Sequence, residues 1–250
     1  MKKILLVSGD SFTDPDWWSE FHPEMEVYWP KWPELLAKKL DMECVNLAKS
    51  GSGQEFIYTS LLEYITNPQK DINRIGLIIP AWSQCQRKDY QKGWGGRWTN
   101  RRLDIDGDIF GWINKSLKYM LSLQVLCERY NIPYKQLQMI NLFNDVLYGL
   151  RPGDSEVKSG KFPKNYRIEY PGNVHKDKQK ILQIISDYED RINTKNFIGW
   201  PMIDELGGYS LSKKLLRSED QVSEQDSHPN KQGHEKIAEF ILWHINGKLE

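Results

Sequence analysis

The sequence predicts an α/β fold in which a parallel sheet carries helices on both faces, and three observations lead to it. The runs Ile4-Leu5-Leu6-Val7 and Ile75-Gly76-Leu77-Ile78-Ile79-Pro80 are short and apolar throughout, as strands buried on both faces are. Segments with helical spacing of apolar residues alternate with such runs along the chain. The first run also ends in Ser8-Gly9-Asp10-Ser11, at what would be the carboxyl edge of an open sheet, where ligands bind. At 250 residues, with no break in composition, the chain reads as one domain over residues 1–250.

The first run starts right after Met1-Lys2-Lys3 and stops at Ser8-Gly9-Asp10-Ser11-Phe12, a strand followed by a tight turn. Residues 14–30 are acidic and aromatic with no clean period, and read as a loop. Trp32, Leu35, Leu36 and Leu40 share one stripe with Pro33 in the first turn, so residues 32–40 are a short amphipathic helix. A second strand over 42–47 leads into Ala48-Lys49-Ser50-Gly51-Ser52-Gly53, whose glycines let backbone approach a ligand. Ile57, Leu61, Leu62 and Ile65 mark a helix over 54–65, ended by Asn67-Pro68.

The third strand, 75–80, is followed by Ala81-Trp82-Ser83-Gln84-Cys85-Gln86-Arg87. Residues 88–111 read as a long irregular insertion, and so do residues 149–174; such lengths without structure are more often functional than mere connectors. Between them lie a helix over 112–130 and a fourth strand over 133–141. Ile181, Leu182, Ile185 and Tyr188 give a helix over 178–192, and 195–198 is the nearest candidate for a fifth strand. A short helix fits 211–216. The last helix starts near Asn230, a good N-cap, and carries Ile237, Phe240, Ile241 and Ile245.

Lys plus Arg and Asp plus Glu each number 34, so overall charge gives no support for a nucleic-acid partner. No stretch approaches a membrane span and no secretory leader pattern opens the chain, so a cytoplasmic or otherwise soluble protein without a signal peptide is expected. Cys44, Cys85 and Cys127 lack metal-type pairing and read as packing residues in a reducing compartment. Ten tryptophans, several of them in loops (Trp17, Trp18, Trp29, Trp32, Trp94, Trp98), read first as loop packing and second as a surface for flat ligands such as sugar rings.

Ser11 would stand at the carboxyl end of the first strand, where a serine can meet a substrate, but a serine hydroxyl needs a base and the base needs an orienting group. Asp226-Ser227-His228-Pro229-Asn230 holds a histidine on a rigid turn just outside the last helix. The two ends of the chain suggest one site. By itself the Gly9-Asp10-Ser11 turn is equally a strand-to-helix corner with Asp10 holding it by local hydrogen bonds. Of the other histidines, His234 and His244 read as surface or cap residues, and His22 and His175 lie in loops without a motif.

Gly9-Asp10-Ser11, Asn46-Leu47-Ala48-Lys49-Ser50-Gly51 and Asp226-Ser227-His228-Pro229-Asn230, in that order and spanning nearly the whole chain, resemble the SGNH (GDSL-type) hydrolases. The resemblance implies a three-layer α/β/α, flavodoxin-like sheet of about five parallel strands. It implies an ester hydrolase with Ser11 as nucleophile, His228 as general base and Asp226 orienting it, with Glu224 as spare candidate because the commonest family spacing puts the acid at position 225, here Gln225. The backbone N–H groups of Ser11 and Gly51 fit the oxyanion roles. The family's third-block Asn is missing, and register puts Ser83 in its place, with the amide of Gln84 as a further donor. Trp82, Ser83 and Arg87 resemble a subgroup of the family. Asp10, Trp82 and Arg87 are expected at the substrate, Arg87 either binding an anionic part of it or, the favoured reading, bracing the loop.

The function so implied is hydrolysis of an acyl or acetyl ester, small-molecule or carbohydrate, through an acyl-enzyme and without a cofactor or metal. The alternatives are an SGNH-fold binding or structural module with weak or no turnover, and a flavodoxin-like domain binding phosphate at the Ser8-Gly9-Asp10-Ser11 turn.

Overall fold

The computed structural model describes residues 1–92, 97–103, 107–143 and 174–247. Its element order is β1 (Ile4–Ser8), α1 (Trp32–Lys39), β2 (Glu43–Asn46), α2 (Gln54–Thr66), β3 (Ile75–Trp82), β4 (Arg87–Lys92), β5 (Arg97–Leu103), α3 (Ile109–Arg129), β6 (Gln136–Gln138), α4 (Val174–Ser186), β7 (Phe197–Ile198), α5 (Leu211–Leu215) and α6 (Lys231–Asn246). Five strands form one sheet in the order β2-β1-β3-β6-β7, all pairs parallel. This is a three-layer α/β/α arrangement with flavodoxin-like strand order. The order reverses between β1 and β3, which opens a crevice beyond their carboxyl ends.

The period-2 alternation of β1 divides the core between the two faces. Ile4 and Leu6 pack with Ile57 and Leu61 of α2 and with Ile113, Leu117 and Met120 of α3. Leu5 and Val7 pack with Trp32 and Leu36 of α1 and Ile237 and Ile241 of α6. A register shift between Ile4 and Leu5 against β3 explains why Ile75 and Ile78, three apart, share a face. Trp32 and Leu36 are wholly buried, each contributing roughly 1.5–3 kcal/mol.

Helix starts are capped in two ways. Asp108 accepts from Gly111 N at 2.7 Å and Asn230 from Gly233 N at 3.0 Å, each from its own N-cap position. Helix α2 has only Gly53 at its N-cap. Its first turn is capped in trans by Asp89 of β4, whose carboxylate accepts from Gly53 N at 2.9 Å and Phe56 N at 2.8 Å.

Three expectations need correction. Much of the insertion read as irregular over 88–111 is an antiparallel hairpin of β4 and β5; its hydrogen-bonded ladder follows from pairing, which polar, Gly- and Arg-rich composition did not reveal. The fourth strand is only Gln136–Gln138, preceded by a separate bridge from Ile78 to Tyr134; the next rung of that register would need an N–H from residue 80 of β3, and Pro80 has none. Helix α3 starts at Ile109, a turn earlier than expected, because Asp108 caps it. The fifth strand falls at Phe197–Ile198, inside the candidate range. The second insertion, 149–174, lies outside the described residues apart from Val174, and His175 is described for its backbone alone. Among the described residues no helix is long and apolar enough to cross a membrane.

Candidate active site

The turn after β1 is built by Asp10. Its carbonyl accepts from Thr13 N at 2.8 Å and Asp14 N at 2.9 Å, and its Oδ1 from Phe12 N at 3.1 Å. Gly9 is needed there, since a Cβ would lie 2.6 Å from Thr13 Oγ1. These contacts hold Ser11 beyond the strand end, half-buried.

His228 Nε2 lies 2.8 Å from Ser11 Oγ, across 217 positions of sequence. Its Nδ1 lies 2.5 Å from Asp226 Oδ1, which also accepts from His228 N at 3.2 Å. With Asp226 on Nδ1, the tautomer that leaves Nε2 as acceptor from the Ser11 hydroxyl is favoured. Of the two acids open from sequence, Asp226 makes the contact, and Glu224 is exposed. The imidazole stacks on Trp17 with centroids 4.7 Å apart and packs against Phe12 at 4.8 Å.

Asp226 is 2% exposed. Burial pushes its carboxyl pKa up, but the hydrogen bonds and charge of His228 and the bond from Ser19, which donates to Oδ2 at 2.5 Å, outweigh it and bring the value down to about 2. The carboxylate therefore stays ionised beside the imidazole at neutral pH.

The loop after β2 is tied to the Ser11 turn from two directions. Ser50 donates its N–H and hydroxyl to Asp14 Oδ2 at 2.7 and 2.6 Å, and Asn46 donates to Thr13 O at 2.7 Å. Gly51 sits at φ +80°, in the left-handed region that favours glycine. Among the described residues, neither Ser11 N nor Gly51 N donates to an acceptor, so both N–H groups stay available to a ligand oxygen.

The third block departs from expectation. Ser83 is fully buried: its hydroxyl donates to Asp10 Oδ2 at 2.8 Å and its N–H to Gln54 Oε1 at 3.2 Å. Its one hydroxyl proton is thus used beneath the turn, which corrects its reading as an oxyanion donor. Trp82 is also corrected as a substrate contact, because it is wholly buried and its indole N–H donates to Gln136 Oε1 at 2.9 Å. Asp10, with no exposed surface, offers a substrate nothing. Arg87 binds Asp10 Oδ2 at 3.1 Å and Ser52 O at 3.0 Å, so it braces the loops after β1 and β2, the second of its two readings. Gln84 is half-buried at the end of β3.

His234 is corrected as well. It is 2% exposed, and its Nδ1 accepts from Trp32 N at 3.2 Å, satisfying a first-turn donor of α1. Burial, then the charges of Lys31 and His228, push its pKa down to about 3. Its spacing from Ile237, Ala238 and Ile241 puts it on the buried stripe of α6, a signal legible in the sequence. Nothing in the sequence marks Ser19 and Asp14. Both lie in an aperiodic loop, where no pattern marks a residue that works through a distant partner.

Of the tryptophans read as lying in loops, Trp32 instead opens α1 and is buried with Trp17, as packing requires, whereas Trp18 is 56% exposed. Among the described residues no group of three or more His, Cys, Asp or Glu gathers as metal ligands. The cysteines Cys44, Cys85 and Cys127 are free; burial pushes each thiol up to about 12.

No family profile and no curated protein matches the sequence. Among solved structures, the chain is similar to the psychrotrophic esterase EstA from Pseudoalteromonas sp., at 13% identity over 98% of this chain and 97% of that one, with TM-score 0.48. It is similar to a protein described as lipolytic and of the G-D-S-L family from Desulfitobacterium hafniense, at 13% identity over 97% and 99% of the two chains, TM-score 0.48. It is also similar to the acetyl xylan esterase AlAXEase, at 11% identity over 96% and 98%, TM-score 0.44. Solved structures that this chain resembles therefore include esterases and a protein described as of the G-D-S-L family.

Proposed function

We propose that the chain is a serine ester hydrolase of the SGNH (GDSL) type. The observation that carries this reading is the unbroken hydrogen-bonded sequence Ser11 Oγ, His228 Nε2, His228 Nδ1, Asp226 Oδ1, set at the crevice where the sheet order reverses. His228 removes the Ser11 proton as the hydroxyl attacks the substrate carbonyl, and Asp226 supports the imidazolium that forms. The tetrahedral oxyanion is met by the N–H groups of Ser11 and Gly51, which donate to no acceptor among the described residues. His228 returns the proton to the leaving alcohol, and an acyl-enzyme remains. Water, deprotonated by the same histidine, then releases the acid and restores Ser11.

A short acyl group on a small-molecule or carbohydrate alcohol is the substrate class this reading takes, the exposed indole of Trp18 offering a flat apolar surface on the loop that carries Trp17. One observation favours a second reading, a binding module with weak turnover: Ser83 is bonded away from the cleft, which leaves two backbone donors where the family uses three.

The test is hydrolysis of 4-nitrophenyl acetate by the purified chain beside Ser11→Ala, with covalent labelling by a fluorophosphonate. Turnover and labelling that both vanish in Ser11→Ala support the hydrolase. Equal rates in the two proteins, with no label on Ser11, would sink it in favour of the binding module.

A further inference from the structure

The segment between β1 and α1 does more than cover the site. Ser19 is 1% exposed, and its hydroxyl donates to Asp226 Oδ2 at 2.5 Å across 207 positions. Oδ1 of the same carboxylate takes both His228 contacts, while Oδ2 accepts from Ser19 and, among the described residues, from no other donor. Four bonds close into a ring around this pair. Ser19 Oγ accepts from His22 N at 3.1 Å, and His22 Nε2 meets Ser223 Oγ at 2.8 Å. Ser223 Oγ in turn accepts from Asp226 N at 3.1 Å and from Gln225 N at 3.2 Å. With those two N–H groups on its oxygen, Ser223 gives its own proton to His22. The loop bearing Asp226 is thereby fastened to the loop that follows Ser11.

We propose that Ser19 is a positioning residue of this site: its hydroxyl fixes the rotation of the Asp226 carboxylate and, through it, the ring of His228. A carboxylate turns about its Cβ–Cγ bond unless both oxygens are engaged, and a buried one with a single engaged oxygen keeps an unpaired acceptor. Ser19 supplies the second engagement. The donor also draws charge away from Oδ1, and so limits how strongly Asp226 holds the imidazolium. The proposal rests on the hydrolase reading above for its effect on rate, but not for its effect on His228 itself.

Besides Asp226, three titratable neighbours bear on His228 among the described residues. His22 belongs to the ring, His234 lies close enough to feel the charge of His228, and Lys31 stands 5.8 Å from the Trp17 ring, on which His228 stacks. Ser19→Ala also removes the acceptor of His22 N, whereas Ser19→Thr keeps it.

The experiment compares wild type with Ser19→Ala, Ser19→Cys, which fills the space with a weak donor, and Ser19→Thr, which keeps a hydroxyl. Two readouts are taken: the NMR titration of His228 without substrate, and the acid limb of kcat/KM for 4-nitrophenyl acetate. In Ser19→Ala both midpoints move up by about half a pH unit, since a more basic carboxylate holds the imidazolium more firmly, and kcat falls roughly tenfold. Ser19→Cys shifts in the same direction by less, and Ser19→Thr restores the wild-type values. A His228 titration that stays at the wild-type midpoint in both Ser19→Ala and Ser19→Cys overturns the proposal, whatever the melting temperatures. If wild type itself shows no turnover dependent on Ser11, the hydrolase reading fails while the NMR titration still decides the role of Ser19.

Discussion

Arg87 and Asp10 form an ion pair at 3.1 Å directly beneath the turn that carries Ser11, with the carboxylate wholly buried and the guanidinium side chain 20% exposed. The same guanidinium reaches Ser52 O, so one side chain spans the loops that present the N–H groups of Ser11 and Gly51. Breaking a buried pair from one side leaves an uncompensated charge, which costs more than the pair itself contributes. Arg87→Met should therefore lower unfolding stability by about 3 kcal/mol. Adding Asp10→Asn in the Arg87→Met background should recover part of that loss, because the remaining buried group is then neutral. Urea denaturation of the two single variants and the double variant gives the coupling; simple additivity would show that the two side chains act separately.

Gly51 combines a left-handed backbone with an N–H that donates to no acceptor among the described residues. Gly51→Ala forces a Cβ into φ near +80°, at a cost of about 1–2 kcal/mol if the loop does not relax. The loop moves to relieve it, and the N–H leaves its place. Steady-state kinetics on the aryl acetate should show kcat reduced by about tenfold or more with KM changed by less than about twofold, the pattern of a donor that acts in the transition state. A change confined to KM would remove Gly51 from the oxyanion role.

Asp226 makes the native state sensitive to acid. Its carboxyl pKa is held at about 2, against 3.8 for the ordinary group. A depressed acid contributes stability that is fully present above the unfolded value and disappears as pH falls from about 3.8 to about 2. The contribution is about 2 kcal/mol. Asp226→Asn should be less stable than wild type at neutral pH, and the gap should narrow as pH is lowered through that window. A constant gap from pH 6 to pH 2 would contradict it.

His234 acts at milder acidity and through the opposite group. Its neutral imidazole is buried with its pKa down at about 3 against 6.5, so below pH 6.5 the unfolded chain takes up a proton that the native state refuses. Stability from this group is complete above about pH 6.5 and is lost as pH falls toward 3, about 2 kcal/mol being gone by pH 5. His234→Ala should be destabilised at pH 7 by the unpaired Trp32 N–H, yet show a flatter dependence of unfolding free energy between pH 7 and pH 5. Thermal or urea unfolding at those two pH values is sufficient to check it.

Much of the layering was legible because burial on a strand or helix leaves a period. Ile4 to Val7, the α2 stripe from Ile57 to Ile65 and the α6 stripe from Ile237 to Ile241 all fell where expected, and Asn230 capped its helix. The β4–β5 hairpin was not legible. Its strands are polar and paired mainly with each other, so their ladder of backbone hydrogen bonds leaves no hydrophobic period behind. The short β6 and β7 strands gave little signal for a related reason: three and two residues do not repeat the two-residue alternation often enough to mark a period.

At the site, the residue types at Ser11, Asp226 and His228 could be named from the sequence because each stands in a short motif at the end of an element. What surrounds them could not. Ser83 and Trp82 were expected to face the cleft, yet pairing of β3 with β1 and β6 turned both inward, toward Asp10 and Gln136. Ser19 carried no local mark at all. The linear chain thus determined the alternation of elements and the chemical groups offered at their ends, since those depend on neighbours a few residues away. Only the tertiary structure decided which of those groups meet across 217 and 207 positions and which are spent bracing the turn, because a hydrogen bond requires an approach of about 3 Å that no spacing along the backbone can specify.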